Sequence, residues 1–339
     1  MKKICVEDAI GTVLGHDLTG IIPGKLKGPL FKKGHIIREE DIEVLKSIGK
    51  NRINVIELPE NFLHENDAGL RIAKAVSGGG VYITEPSEGK VNFMAKERGI
   101  LKINLEALEA INSIGKLTLV TRHNNILVEK NKVLGATRAI PLIIESEKIE
   151  EVERICNRLG KVIDISIMKS LKVGIIITGT EVYEGRIKDK FAPVLKEKLE
   201  NYGAKLLSVK YAPDDREKIE SEIIELINEG AEIVLATGGM SVDADDVTPL
   251  AIENVSDRVI SYGVPAMPGN MLMLAYRGNV AILGIPGAGM YYKITSLDLL
   301  LPRILSGEII ERKHIVSLGH GGYCLFCENC VYPNCSFGK

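Results

Sequence analysis

The spacing of apolar residues along the chain changes near residue 170. Beyond that point, short continuous apolar runs predict strands buried on both faces, and they alternate with segments whose apolar residues recur at helical spacing. Such alternation favours a parallel sheet with right-handed crossovers and helices on its faces, which is an α/β fold of three layers. The predicted strands are 173–177, 206–209, 233–236 and 280–283, and the predicted helices are 191–202, 217–229, 249–254 and 290–305.

The pattern before residue 170 is less regular and predicts a mixed β/α region. Short strand-like runs alternate with glycine and proline, and Lys130-Asn131 is typical of a turn. Two helices are predicted here, one after residues 38–41 and one after the N-cap pair Asn66-Asp67. We therefore expect four segments: 1–65 and 66–170, both mixed β/α, then the α/β domain 171–306 and a cysteine-rich tail 307–339.

Composition excludes several classes of function. The net charge of the 339 residues is −2, which argues against broad binding to nucleic acid or to a membrane surface. No apolar run approaches the ~18 residues that a membrane-spanning helix needs. Glu7 and Asp8 interrupt any apolar region behind the basic start of the chain, so no signal peptide is indicated. We expect a cytoplasmic protein whose six cysteines stay reduced.

Three glycine-containing loops follow three of the predicted strands. In open α/β sheets, ligands bind beyond the carboxyl ends of the strands, so these loops can converge on one ligand. Glycine lets backbone N–H groups approach a phosphate closely, and neighbouring carboxylates suit Mg²⁺. A single Gly-Gly turn is more often only a turn, and Asp245-Asp246 could simply cap a helix. The coincidence of the loops with four acids favours a ligand site. The loops are 178–181, 237–246 and 284–289, and the acids are Glu181, Asp243, Asp245 and Asp246.

Residues 177–181 and 236–249, above all the Thr-Gly-Gly-x-Ser-Val element, resemble the molybdopterin-binding domain of molybdenum-cofactor biosynthesis proteins. Residues 6–14 resemble, more loosely, the opening of the molybdopterin molybdenumtransferases. The resemblance implies that the chain binds molybdopterin or its adenylylated form, with Mg²⁺, and inserts molybdenum from molybdate with loss of AMP. It implies a homo-oligomer and a molybdoenzyme or pathway protein as a further partner. It implies Glu181 and Asp246 as catalytic acids and a set of ligand-binding residues: Thr178, Gly179, Thr237, Gly238, Gly239, Ser241, Asp243, Pro286 and Gly287.

Two departures from the transferase pattern leave other functions open. Residues 266–271 lack the lysine of the family's Pro-Gly-Lys-Pro element, and residues 285–289 lack an asparagine and the second proline. A cation that would neutralise molybdate or phosphate is therefore missing from that element. One alternative is a non-catalytic protein that binds, delivers or senses the cofactor. Another is a CinA-type nucleotide pyrophosphate hydrolase, which is similar around residues 237–249.

Four cysteines, Cys324, Cys327, Cys330 and Cys335, fall within twelve residues. Two intervening residues let one tight turn present two sulfurs to one ion, and thiolates select Zn²⁺ or iron–sulfur clusters. The run is closer to a ferredoxin-like run than to paired zinc knuckles, although its last gap is four residues. We predict a metal site at these four cysteines, with a reduced tail or a redox thiol cluster as alternatives. Cys5 and Cys156 lie in apolar patterns and are expected to be buried.

Overall fold

The computed structural model describes residues 2–22, 26–240 and 246–339. The chain divides into two compact units, the first built from Met1–Glu97, Lys102–Arg122 and Glu129–Ile165, the second from Arg98–Leu101, His123–Val128 and Ser166–Lys339.

The strands are β1 Lys2–Cys5, β2 Val13–Leu14, β3 Leu18–Ile22, β4 Leu26–Phe31, β5 Arg52–Ile56, β6 Phe62–His64, β7 Val81–Ile83, β8 Lys90–Ala95, β9 Gly99–Ile103, β10 Leu117–Thr121, β11 Leu127–Val128, β12 Val133–Ala139, β13 Ile143–Glu145, β14 Ile163–Ile167, β15 Lys172–Thr178, β16 Lys205–Ala212, β17 Ile233–Thr237, β18 Arg258–Tyr262, β19 Met273–Arg277 and β20 Val280–Ile285. The α-helices are α1 Glu39–Ser47, α2 Glu65–Val76, α3 Leu105–Ser113, α4 Ser146–Leu159, α5 Thr180–Tyr183, α6 Phe191–Tyr202, α7 Arg216–Asn228, α8 Thr248–Val255, α9 Ala288–Tyr291, α10 Ser296–Leu305 and α11 Arg312–Val316.

The first unit is a mixed β/α structure, as its pattern indicates. Strands β1, β5 and β2 form one small antiparallel sheet, and β10, β12, β8 and β7 form another. The two predicted helices are confirmed as α1 and α2, but the sequence pattern did not predict α3 and α4. Helix α4 buries a helical stripe made of Ile149, Val152, Ile155 and Cys156. Of the two isolated cysteines, Cys156 is buried as expected, whereas the expectation for Cys5 is wrong because it is exposed at the end of β1.

The second unit contains a six-stranded sheet of order β16-β15-β17-β20-β19-β18. The first four strands are parallel, which confirms the α/β class. The sheet also has an antiparallel edge that the pattern did not predict, because β19 and β18 pair antiparallel to their neighbours. Only Gly278 and Asn279 connect β19 to β20, and Gly278 takes a φ of +55°. A two-residue link reverses the chain at once, so these strands form a hairpin and not a crossover.

Helices cover both faces of this sheet, so the unit has three layers. On one face, Ile175 and Ile177 of β15 pack in one core with residues of α6 and α10. On the other face, Ile176 packs in a second core with residues of α7 and α8. All three isoleucines are at most 2% exposed. Burying such a side chain contributes roughly 1.5–3 kcal/mol, and a continuous apolar run is what a strand with two covered faces requires.

The predicted helix 290–305 is divided in the structure into α9 and α10. Helix α9 ends at Tyr291, and Thr295 caps α10: its backbone N–H donates to Asp298 Oδ2 at 2.7 Å, and its Oγ1 accepts from the N–H of Leu297 at 3.3 Å. This reciprocal pairing is a capping box, which starts a new helix at Ser296. The link left between the helices, residues 292–295, places Tyr292, Lys293 and Ile294 in the lining of one of the cavities described below.

A buried ion pair joins α6 to the start of α10. Lys198 Nζ donates to Asp298 Oδ1 at 2.7 Å and Oδ2 at 2.9 Å, and to the carbonyl oxygen of Lys293 at 2.6 Å. The Tyr202 hydroxyl donates to the same carboxylate at 2.8 Å. Burial raises the pKa of Tyr202, and the neighbouring Asp298 carboxylate raises it further. The tyrosine therefore stays a hydrogen-bond donor. We call Lys198, Tyr202 and Asp298 the buried clamp.

Candidate functional site

Predicted ligand residues from two of the three loops line one cavity at the carboxyl end of the sheet in the second unit. The cavity has a volume of about 660 Å³, and we call it the cleft. Its position beyond the ends of β15 and β17 is the place where open α/β sheets bind ligands. The predicted residues in its lining are Thr178, Gly179, Glu181, Gly238, Gly239 and Asp246.

The end of β15 supplies Thr178, Gly179 and Glu181. Thr178 is buried, and its hydroxyl lies 3.2 Å from that of Thr248 at the start of α8, which ties the two loops together. Gly179 has a φ of +132°, a conformation that side chains rarely adopt. A Cβ there would lie 3.3 Å from Glu181 Oε1, so the Glu181 side chain lies against the glycine. The Glu181 side chain is exposed.

The end of β17 brings Gly238 and Gly239 against β15. A Cβ at Gly238, where φ is +102°, would collide with the Thr178 carbonyl oxygen. A Cβ at Gly239, where φ is +53°, would lie 3.0 Å from Thr248 Oγ1 and 3.6 Å from Asp246 Oδ1. The protein's own packing thus requires both glycines. The same absence of side chains leaves their backbone open on the cleft side.

Of the other predicted ligand residues, Thr237, Pro286 and Gly287 lie outside the cavity lining. Thr237 is fully buried, and its Oγ1 donates to the Ile285 carbonyl oxygen at 3.2 Å, which links β17 to β20. Gly287 has an ordinary φ of −52°, and a Cβ there would meet no described atom within 4 Å. Ser241 and Asp243, like Asp245, lie outside the described residues.

Several lining residues that the sequence pattern did not predict lie between the end of α5 and the start of α6. Lys188 and Lys190 are exposed and bring two cations to the cleft, although the transferase-like element 266–271 has none. Between them, Asp189 Oδ1 accepts from the N–H of Phe191 at 2.7 Å and caps α6. Asp214 also lines the cleft, and its Oδ2 accepts from the Thr180 N–H at 2.9 Å. The Lys-Asp-Lys triplet just before a predicted helix was the signal available for these residues.

Residues 266–271 have a structural role in this chain and lie outside the lining of the cleft. The Pro268 carbonyl oxygen accepts from the N–H of Ser296 at 3.0 Å, at the start of α10. A Cβ on Gly269, where φ is +99°, would lie 2.6 Å from Ser296 Oγ. Met267 pairs with the C-terminal segment, since its N–H donates to the Gly322 carbonyl oxygen at 2.7 Å. The segment that would carry the family's lysine therefore supports α10 and the cysteine segment.

Carboxylates on the cleft are suited to a hard cation. Asp246 is half-buried and Glu181 exposed, and both line the cavity. Burial raises the pKa of Tyr262, whose hydroxyl donates to the Met240 carbonyl oxygen at 3.2 Å, and the Asp246 carboxylate raises it further. Within residues 2–22, 26–240 and 246–339, no group of three or more His, Cys, Asp or Glu side chains is arranged to hold a metal ion. Glu181 and Asp246 thus offer two oxygen ligands, which fits a cation that keeps several waters, as Mg²⁺ does.

All four predicted metal-binding cysteines line a second cavity, of about 450 Å³, which we call the cysteine cavity. Cys324 and Cys335 are half-buried, whereas Cys327 and Cys330 are exposed. Tyr291, which is 79% exposed, lines both the cysteine cavity and the cleft. The two cavities are therefore neighbours on one unit.

Comparison with known proteins points to the same domain. Residues 174–306 match the family described as "Probable molybdopterin binding domain", and residues 3–57 match a family described as a domain of unknown function. The molybdopterin molybdenumtransferase of Synechococcus elongatus is 25% identical over 176 residues, 49% of this chain and 44% of that protein. A CinA-like protein of Mycobacterium sp. (strain JLS) is 33% identical over 89 residues, 26% of this chain and 21% of that protein. The chain thus matches less than half the length of either relative.

A solved structure gives a weaker likeness. The molybdopterin biosynthesis enzyme MoaB of Thermus thermophilus is 21% identical with a TM-score of 0.37, covering 41% of this chain and 98% of that one. In the part of the chain that the structure describes, no helix combines the length and the apolar character needed to cross a membrane. The family match coincides with the domain that carries the cleft, and it confirms the resemblance of residues 174–306 to the molybdopterin-binding domain of molybdenum-cofactor biosynthesis proteins.

Proposed function

We propose that the cleft binds molybdopterin or its adenylylated form and supports the insertion of molybdenum from molybdate. The observation that carries this proposal is the assembly of four predicted ligand-binding residues and the two predicted catalytic acids around one cavity, within the region that matches the molybdopterin-binding family. In this reaction the two dithiolene sulfurs replace two oxygens of molybdate, which take up protons and leave as water, and a water molecule cleaves the phosphoanhydride bond between the pterin phosphate and AMP.

The phosphate end of the ligand fits the loop after β17. Gly238 and Gly239 present backbone without side chains, and α8 begins beside them at Thr248. Backbone N–H groups free of side chains and the helix dipole both favour a phosphate at such a position. Lys188 and Lys190 add positive charge on the opposite loop of the cleft. They provide the cations that residues 266–271 lack.

Glu181 and Asp246 are the proposed acidic residues of the reaction. They would hold Mg²⁺, which would neutralise phosphate charge when it is bound. Without the cation, two carboxylates beside a phosphate repel it. Ligand affinity should therefore depend on Mg²⁺ more steeply in the wild type than in an Asp246→Asn variant.

The test is release of AMP from adenylylated molybdopterin by the full chain, with molybdate and Mg²⁺ present. We expect Asp246→Asn to lower turnover by about 100-fold or more, the range for removal of an acid–base or electrostatic group. Asp8→Asn, an exposed aspartate of the first unit, is the matched control and should leave turnover unchanged. Light scattering of the same sample measures the proposed homo-oligomer.

Two results would replace this proposal. Tight pterin binding without AMP release, in metal-replete protein, would favour a protein that delivers or senses the cofactor. Hydrolysis of ADP-ribose without affinity for pterin would favour a pyrophosphate hydrolase, and the match to CinA-like proteins is the observation that supports this alternative.

A further inference from the structure

The C-terminal segment is held firmly against the second unit. The Cys324 N–H donates to the Met267 carbonyl oxygen at 2.9 Å, and the Gly338 N–H donates to the Gly321 carbonyl oxygen at 2.9 Å. Phe337 is 3% exposed within the core that contains α10. The Tyr332 hydroxyl donates to the Asp298 carbonyl oxygen at 3.3 Å. A reduced and mobile tail would make none of these contacts, so the cysteines between these anchors are held at one place in the fold.

Packing against the core accounts for Cys324 and Cys335 at most, and it does not explain why the other two residues are cysteines. Cys327 and Cys330 are exposed, and the four thiols are free. A cysteine that serves only as a small apolar residue is usually buried, as Cys156 is in α4. Free thiols at the surface are readily oxidised. A cluster of them around one cavity therefore indicates a chemical function and not a packing role.

The first turn of the cluster already has the local geometry of a metal-binding knuckle. The Phe326 N–H donates to Cys324 Sγ with an N···S distance of 3.4 Å, across the two-residue gap before Cys327. Phe326 has a φ of +53°, which bends the chain so that both cysteines face the same cavity. Backbone N–H groups aimed at a sulfur stabilise its thiolate form, the form that binds metals.

We propose that Cys324, Cys327, Cys330 and Cys335 together bind a thiophilic metal centre in the cysteine cavity, either one Zn²⁺ ion or an iron–sulfur cluster. Four thiolates and no other donor type are the ligand set that selects these metals over hard cations. Among the residues that the structure describes, the four sulfurs are not gathered into one coordination sphere. Binding must therefore draw the exposed Cys327 and Cys330 inward, towards the anchored Cys324 and Cys335.

The position of this centre couples it to the cleft. Tyr291 lines both cavities, and the link that follows it, Tyr292–Ile294, also lines the cysteine cavity. The Tyr292 and Phe326 rings are in contact, with centroids 5.5 Å apart. Closure of the cysteine loop around a metal thus moves a ring that contacts the link next to the cleft. This coupling rests on the proposed function, whereas the metal site does not.

The test uses the full chain, purified without oxygen and stripped of metal. Co²⁺ serves as the probe for the zinc site, because thiolate coordination gives an intense sulfur-to-cobalt charge-transfer band. We expect that band at one Co²⁺ per chain, with Cys324, Cys327, Cys330 and Cys335 protected from alkylation and the exposed Cys5 still reactive. Reconstitution with iron and sulfide is the second arm, and a visible absorption band that bleaches on reduction would assign a cluster instead of zinc.

Cys327→Ser and Cys330→Ser should each abolish the tetrathiolate signature, while Cys5→Ser and Cys156→Ser should retain it. Circular dichroism of the metal-free variants separates loss of ligation from loss of folding. The proposal is overturned if neither arm gives a thiolate band, or if the tail variants match the two controls. If the metal binds and pterin does not, the site stands and the proposed function fails.

Discussion

Replacing Lys198 by methionine tests the buried clamp. The Lys198 side chain is 10% exposed and that of Asp298 only 1%, so the variant leaves a buried carboxylate without its cation. Breaking a buried pair in this way costs about 3–5 kcal/mol. Asp298 keeps the hydrogen bonds from Tyr202 and from the Thr295 N–H, at 2.8 and 2.7 Å, so we expect the lower end, about 3 kcal/mol.

Urea unfolding followed by circular dichroism measures this loss, because the chain has no tryptophan to report it by fluorescence. Hydrogen exchange of peptides from α6 and α10 would assign the loss to the second unit. Lys196→Met, on the same helix but exposed, is the matched control and should change the free energy of unfolding by no more than about 0.5 kcal/mol. Combining Lys198→Met with Asp298→Asn removes both charges, and the double variant should lose less than the two single losses added together.

Equal unfolding free energies for Lys198→Met and Lys196→Met would refute this reasoning. Such a result would mean that water enters the α6–α10 interface and solvates Asp298. A loss that is additive in the double variant would also refute it, because the two charges would then be energetically independent. The variant has a local effect as well. Lys198 holds the Lys293 carbonyl, so protection from exchange in residues 292–295 should fall.

The remaining predictions concern ligand affinity and pH. Gly287→Ala should leave stability unchanged, since its Cβ meets open space, and it should leave pterin affinity unchanged as well, because Gly287 lies outside the lining of the cleft; a loss of affinity of about tenfold or more in a titration would show that the ligand extends beyond the cleft. Lys188→Gln and Lys190→Gln should each weaken phosphate-ligand binding about two- to fivefold and reduce its salt dependence, with the exposed Lys96→Gln as control. Burial raises the pKa of Glu65 above its ordinary 4.5, so the folded chain binds the Glu65 proton more tightly than the unfolded chain does. The stability that this proton contributes is lost as the pH rises through the folded pKa. Glu65→Gln should therefore raise the unfolding free energy at neutral pH and not in acid, whereas the exposed Glu85→Gln should not change this pH dependence.

The sequence predicted those parts of the fold that depend on local pattern. The run Val173–Ile177 lies within β15, and the predicted helix 191–202 coincides with α6, because burial on two faces and on one face leave distinct periodicities. The break between α9 and α10 was missed, although Thr295 and Asp298 have the spacing of a capping box. The apolar periodicity continues through Leu297 and Leu300, so the pattern predicted one continuous helix despite these two capping residues.

The candidate site was predicted in part for a similar reason. Gly179, Gly238 and Gly239 follow apolar runs directly, so their place at the strand ends could be inferred from the sequence. Lys188 and Lys190 reach the cleft from a loop whose path depends on how α5 and α6 pack. No period in the sequence encodes that path. The sequence pattern likewise did not predict that the cleft and the cysteine cavity lie next to each other. Tyr291 and Cys324 are brought together only by the packing of the C-terminal segment.

The mixed strand order also sets the order in which this unit can assemble. The β19–β20 hairpin closes through two residues, whereas β15 must find β17 and β17 must find β20 across intervening helices. Chain-closure entropy favours the hairpin early and the parallel pairs late. We expect pulse-labelled amides of Ala275 and Ile282, which face each other across the hairpin, to gain protection before those of Ile175 during refolding. A nascent chain on the ribosome would then lack the cleft until β20 has emerged, which keeps an unfinished chain from capturing the ligand.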